Sequence, residues 1–347
     1  MILDWKRITA AILALAAAGM LFAWSGLLDI RASTGHWRVT DWFLHWVMRS
    51  SVRTASLGTE PPAFTPAMLP LAAGHYEIGC AGCHGSPAMP RPAAAENMLP
   101  PPPDLKDVAG SWSDAELFEI VRHGVRYTGM PAWPAVVRED EVWAMVAFVR
   151  AYPQMNTTTY RRLAAFSATQ SRDFAHLLKT CEGCHSSERL DQTSLIPQLT
   201  GQSESYLRDS LTAFVSRKRP SGVMQAALSQ TSDEDRRNLA AYFARHTTPE
   251  RSGPFSGTID RGRTLAEVGD KTRGIAACGA CHDRADINPA YPRLAGQPAA
   301  YLENQLSLFK AGIRGGGPFA DVMTKAVAGL SGEDIRALAA YYGASRN

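Results

Sequence analysis

Residues 8–28 form an unbroken run of 21 uncharged, mostly apolar positions directly after Lys6 and Arg7. A helix of that length crosses the hydrocarbon core of a bilayer, so the run predicts a membrane span. A cleavable leader fits the same pattern, because Ala23, Trp24 and Ser25 make a tolerable small-x-small cleavage site. The length of the run favours retention. The pattern then turns amphipathic: residues 37–47 carry Trp37, Trp42, Phe43 and Trp46 between polar positions, as in an interfacial aromatic belt or a surface that docks on another membrane subunit. His36 and His45 in this stretch are read as interfacial polar groups, not ligands. Pro61, Pro62, Pro66 and Pro70 mark a stiff connection leading away from it.

From residue 68 onward the periodicity is helical. Ser113 and Glu116 form a capping box that opens a helix ending at Gly124. Residues 139–151 put Val142, Met145, Val146 and Val149 on one apolar face. Two later segments repeat one another: Ile196, Pro197, Gln198, Leu199, Gly201 and Gln202 answer Tyr291, Pro292, Arg293, Leu294, Gly296 and Gln297. Leu211 and Phe214 answer Leu306 and Phe309, and Ser232 with Leu239 answers Ser331 with Leu338. Both serines read as N-caps of a terminal helix. The predicted fold is all-α.

The chain has six cysteines, and all of them fall in three Cys-x-x-Cys-His motifs: Cys80, Cys83 and His84; Cys181, Cys184 and His185; Cys278, Cys281 and His282. A lone Cys-x-x-Cys is a redox dithiol or half of a zinc site as readily as anything else. Three copies about a hundred residues apart, each followed at once by His, point to three covalently bound haem c groups held by thioethers, with the histidine on the iron. A length of 347 residues accommodates three units of about that size. The net charge of +3 is nearly neutral for this length, and no basic run exceeds residues 217–219, which argues against a nucleic-acid partner.

The repeated pair over residues 162–347 resembles the di-haem cytochromes c4, and residues 68–152 resemble a mono-haem class I cytochrome c domain. The expected architecture is a transmembrane anchor (1–30), an interfacial segment and Pro-rich linker (31–67), and three tandem class I cytochrome c domains at 68–152, 162–250 and 258–347. Methionine is the expected sixth ligand. Met224 is the sole methionine between His185 and residue 250, and Met323 the sole one after His282. Both precede the terminal helix, where the resemblance places the ligand loop. In the first domain Met89 follows His84 too closely and Met145 belongs to a helix. Met98 precedes the prolines at 100–103; Met130, in a Gly-Met-Pro phrase shared with mono-haem domains, is preferred. His75, His123 and His176 are read as surface or loop residues, and His246 as the end of a helix. The Pro-x-Leu phrases at Pro103, Pro197 and Pro292 follow each motif. The resemblance implies that each proline carbonyl accepts the outer N–H of the ligand imidazole.

Axial positions filled by histidine and methionine leave no open iron site, so the reading is an electron-transfer protein without a catalytic residue. The Gly-rich stretch 315–317 follows no strand and is read as part of the methionine loop. Haem attachment on the periplasmic side of a bacterial inner membrane sets the orientation. The expected partners are a quinol-oxidising complex or a dehydrogenase as donor and a terminal oxidase or soluble cytochrome c as acceptor. One alternative is the cytochrome subunit of a membrane-bound periplasmic dehydrogenase. Another is a haem enzyme such as a peroxidase or a thiosulfate-oxidising cytochrome.

Overall fold

The computed structural model describes residues 4–164, 173–246, 259–284 and 288–345, so the expected domain limits at 250 and 258 lie outside the described residues. Helix α1 (Trp5–Trp24) is capped by the Asp4 carboxylate, which accepts from the Lys6 amide at 3.2 Å. None of it is buried against the rest of the chain, and by length and composition it can cross a membrane. Helix α2 (Arg38–Ala55) outruns the aromatic segment expected from sequence. The Trp42 and Trp46 rings stack at 6.3 Å and stay largely exposed, while the Arg49 guanidinium lies 4.5 Å over Trp112 and ties α2 to the body that follows.

The described residues after 67 form short helices and loops, with no strand among them. A first hydrophobic cluster is built by α3 (Met68–Gly79), α4 (Ala81–His84), α5 (Ala93–Glu96), α6 (Leu105–Val108), α7 (Asp114–His123), α8 (Glu139–Ala151) and α9 (Thr157–Ala164). The Ser113–Glu116 capping box is present, and α7 stops at Gly124, whose φ of 66° suits glycine. Helices α3, α8 and α9 meet where Tyr76 packs on Phe148 at 5.0 Å, on Tyr152 at 5.5 Å and on Tyr160 at 6.3 Å between ring centroids. The Tyr76 hydroxyl donates to Gly85 O at 2.7 Å and fixes the turn behind His84. Through Tyr160 and Ala164 this cluster extends past residue 152, the limit expected from sequence.

Helix α8 departs from the expected one-sided pattern, since residues 141–149 are all buried. It packs on α3 and α7, and its N-terminal end meets the chain at residues 220–223.

A second cluster contains α10 (Phe174–His185), α11 (Glu204–Val215) and α13 (Asp233–Arg245) around Leu207, Leu239, Ala240 and Phe243, and α12 (Gly222–Ala227) lies against the first cluster through Val223 while also touching α11. The third contains α14 (Ile259–Glu267), α15 (Gly279–His282), α16 (Ala299–Lys310), α17 (Ala320–Val327) and α18 (Gly332–Ala344) around Leu265, Leu302, Leu338 and Tyr342. Ser232 and Ser331 cap α13 and α18 in capping boxes with Asp235 and Asp334.

The second and third clusters face each other across a pseudo-symmetric contact. Gln297 takes the Gln198 N–H on its side-chain oxygen at 3.0 Å and gives its amide to Gln198 O at 2.8 Å. Gln202, its counterpart in the repeat, makes the same pair with Arg293 at 3.0 and 2.8 Å.

Candidate functional site

Each Cys-x-x-Cys-His motif sits on or ends a helical turn: α4 for His84, the end of α10 for His185, α15 for His282. Residues three and four apart on a helix share a face, so both sulfurs and the imidazole point the same way. No described cysteine forms a disulfide. Burial pushes the Cys80 and Cys181 thiols up to about 12 and Cys278 to about 11, which keeps them as thiols.

The three imidazoles are anchored identically. His84 Nδ1 lies 2.9 Å from Pro103 O, His185 Nδ1 2.9 Å from Pro197 O, and His282 Nδ1 2.7 Å from Pro292 O. A carbonyl only accepts, so Nδ1 carries the proton and Nε2 is left as a lone-pair donor. Burial lowers the pKa of all three rings, with the proline carbonyl acting in the opposite sense, and neutral imidazole is the form that binds a metal. The glutamine pairs at 198 and 293 are each one residue past these prolines, so the contact between clusters also braces the carbonyls that aim His185 and His282.

Between the second and third clusters lies a continuous cavity of about 420 Å³. Its walls include Cys181, Cys184, His185 and Met224 on one side and Cys278, Cys281, His282 and Met323 on the other. Leu199, Leu207, Phe243, Leu294, Phe309 and Leu338 make it apolar. In the first cluster Met130 sits on a loop held by Val125 N–H to Met130 O at 3.2 Å and by the Met130 amide to Thr128 Oγ1 at 3.1 Å. Met98 reaches the same loop: a Cβ on Gly129 would stand 2.1 Å from its terminal methyl. Both methionines are half-buried, so Met98 packs beside the preferred candidate.

The cavity also holds two residues that sequence reading passed over. Arg219 and Arg314 are 6 % and 8 % exposed, and neither has a carboxylate partner among the described residues. Arg219 donates to Ser210 Oγ and Tyr301 OH at 3.2 Å each, and Arg314 to Gln305 Oε1 and Gly315 O at 2.7 Å each. Burial and the charge of Arg219 bring Arg314 down to about 10. Two buried like charges without an anion are costly. Haem propionates are anions of the right chemistry, the same cavity is lined by two cysteine pairs and two neutral imidazoles, and its walls are apolar; the residues fit haem c. Arg219 closes the basic run at 217–219, which by composition alone reads as a solvated patch.

His75 corrects another expectation. It is only 4 % exposed, its ring lies 4.3 Å from that of Trp133, and burial brings its pKa down to about 4. His123 is exposed at the end of α7 and His176 half-buried in α10. His36 and His45 are exposed. Beside His75, Gly74 of α3 approaches the second site so closely that a Cβ there would be 3.1 Å from Cys184 Sγ.

Residues 68–149 match the family model for cytochrome C oxidase, cbb3-type, subunit III. The chain is 31% identical over 164 residues to cytochrome c4 of Pseudomonas aeruginosa, covering 46% of this chain and 81% of that one. It is 31% identical over 167 residues to the thiosulfate dehydrogenase electron acceptor of Stutzerimonas stutzeri, covering 47% and 77%. Among solved structures, cytochrome c4 of Acidithiobacillus ferrooxidans is 27% identical with a TM-score of 0.42, over 47% of this chain and 96% of that one.

Proposed function

The chain belongs to the cytochrome c4 family of class I c-type cytochromes, and from that premise we propose that it is a membrane-tethered tri-haem electron carrier on the periplasmic face of a respiratory membrane. The observation that carries this reading is the threefold recurrence of one arrangement, in which two cysteines and a histidine share a turn and a proline carbonyl holds the histidine Nδ1–H. When bound, haem c supplies reversible one-electron chemistry at an iron.

The residues divide the work. Cys80, Cys83, Cys181, Cys184, Cys278 and Cys281 would anchor the three groups, and His84 with Met130, His185 with Met224 and His282 with Met323 would hold their irons. Pro103, Pro197 and Pro292 hold the imidazoles, which sharpens their orientation and basicity. Arg219 and Arg314 neutralise propionates. With a histidine and a methionine holding each iron, no ligand position would remain for a substrate, which favours carriage over catalysis. Helix α1 supplies the tether.

Electron delivery to a terminal oxidase is the favoured direction, and the match of residues 68–149 to an oxidase-subunit model supports it. A second reading concerns the donor. Relatives named as electron acceptors of thiosulfate dehydrogenase support a periplasmic dehydrogenase as the source of electrons, here or in a dedicated complex.

The test is to solubilise membranes in mild detergent, capture the full chain by a tag at Asn347, and identify the co-eluting redox proteins. Haem-copper oxidase subunits support the tethered donor; a dehydrogenase alone supports the second reading. Release of the protein by high salt without detergent contradicts the tether. Rapid binding of carbon monoxide or cyanide to the native protein contradicts closed axial sites.

A further inference from the structure

The first turn of α8 carries a buried carboxylate that bonds to the segment opening α12. Glu141 is 3 % exposed. Its Oε1 accepts the Ser221 hydroxyl at 2.6 Å, and its Oε2 accepts the Gly222 amide at 2.7 Å and the Trp133 indole N–H at 3.2 Å. Arg138 pairs with Glu141 at 3.0 Å and also donates to Pro220 O at 2.9 Å. Every one of these groups is a donor to the carboxylate, and together they offset the burial that pushes its pKa upward.

The bonds converge on the segment that opens α12. Ser221 Oγ, held from one side by Glu141, accepts the Met224 amide at 3.1 Å on the other, so Glu141 is one hydroxyl away from the backbone of the methionine. Gly222 makes this approach possible, since a Cβ there would fall 2.1 Å from Trp133 Nε1. Among the described residues the third cluster has no counterpart. Three residues before Met323 stands Ala320, and the cap position of α17, Phe319, makes no side-chain bond.

We propose that Glu141 is a positioning residue for Met224: the first domain clamps the loop that closes the second haem site, through Ser221 and Gly222. The sixth ligand of the second site is thereby set across a domain boundary, while that of the third depends on its own loop. This inference rests on Met224 as an iron ligand. It gives the added first domain a role beyond carrying its own haem.

The test compares Glu141→Gln, Ser221→Ala and Met224→Ala in the full haem-loaded chain, by the stoichiometry of carbon monoxide bound to the reduced protein and by the methionine-to-ferric-iron charge-transfer band. Met224→Ala opens one haem to carbon monoxide and removes one methionine's share of the band. The clamp requires that Glu141→Gln or Ser221→Ala open a haem in part of the population. Adding either change to Met224→Ala must open no further haem. Ser221→Ala removes only the hydroxyl and serves where Glu141→Gln disturbs the interface. Wild-type carbon monoxide binding in Ser221→Ala and Glu141→Gln, beside a Met224→Ala that does open a haem, overturns the clamp alone. A Met224→Ala variant that opens nothing overturns the ligand assignment on which it rests. A second haem opened in the combined variant also overturns the clamp, since the effect would not pass through Met224.

Discussion

Gln297 closes on the backbone of Gln198 with two hydrogen bonds, at 3.0 and 2.8 Å, while both side chains are buried. Its repeat partner Gln202 does the same to Arg293, so two copies of one phrase grip each other. The contact is therefore isologous within a single chain, the internal equivalent of a two-fold interface.

Gln297→Ala strips the Gln198 N–H and C=O of their partners in a buried setting. Leaving such groups unpaired costs roughly 1–3 kcal/mol each, so a loss of about 2 kcal/mol or more is expected. Guanidinium unfolding of the holoprotein measures it, and an unchanged midpoint would mean that the pair is a surface ornament.

Replacing Met323 with Ala removes the expected ligand on the third iron. Axial ligands tune haem potentials over roughly 0.8 V, and a fall on the order of 0.1–0.3 V is expected for one haem of the set. Spectroelectrochemical titration resolves it. Met130→Ala and Met98→Ala decide the first site in the same way: only the former should shift a potential.

Arg314 stands buried in the cavity wall without a carboxylate partner among the described residues. Arg314→Gln withdraws a positive charge, which favours the oxidised iron and lowers a potential. A charge about 10 Å away at an effective dielectric near 20 is worth on the order of 70 mV. An unchanged potential would show that the guanidinium does not face the redox centre.

Asp334 gives the protein an acid limit. Burial alone would raise its carboxyl, but hydrogen bonds from Arg273, from the Ser331 amide and hydroxyl and from Arg261 prevail and hold it far below the ordinary range. A carboxyl depressed in the folded state contributes stability that is complete above its unfolded pKa near 3.9 and is lost as pH falls toward the folded value. Stability should therefore fall from about pH 4 downward, and Asp334→Asn should flatten that part of the profile. Both guanidinium partners are partly in water, so the cost of Asp334→Asn at neutral pH is set at roughly 2 kcal/mol, below the range for a fully buried pair. Thermal melts from pH 3 to 7 provide the comparison.

What was legible in the sequence is local. The helix at 139–151 and the caps at Ser113, Ser232 and Ser331 depend on residues close in sequence, and each stands where the pattern put it. What escaped depends on how one cluster sits on another. His75 reads as a surface histidine until Trp133 covers it, and Glu141 reads as the acidic first turn of α8 until residues 220–223 arrive. Arg219 hid in a charge run because composition does not tell which of three basic residues turns inward.

The central claim is that three haem c groups are bound covalently at the three cysteine pairs. Intact-mass measurement of the purified full chain under denaturing conditions, followed by peptide mapping, tests it directly. The account predicts a mass greater by three haems, with one on each of the peptides bearing Cys80 and Cys83, Cys181 and Cys184, and Cys278 and Cys281. A mass increase of two haems or fewer, or any of these cysteine pairs recovered as free thiols from fully matured protein, would contradict it.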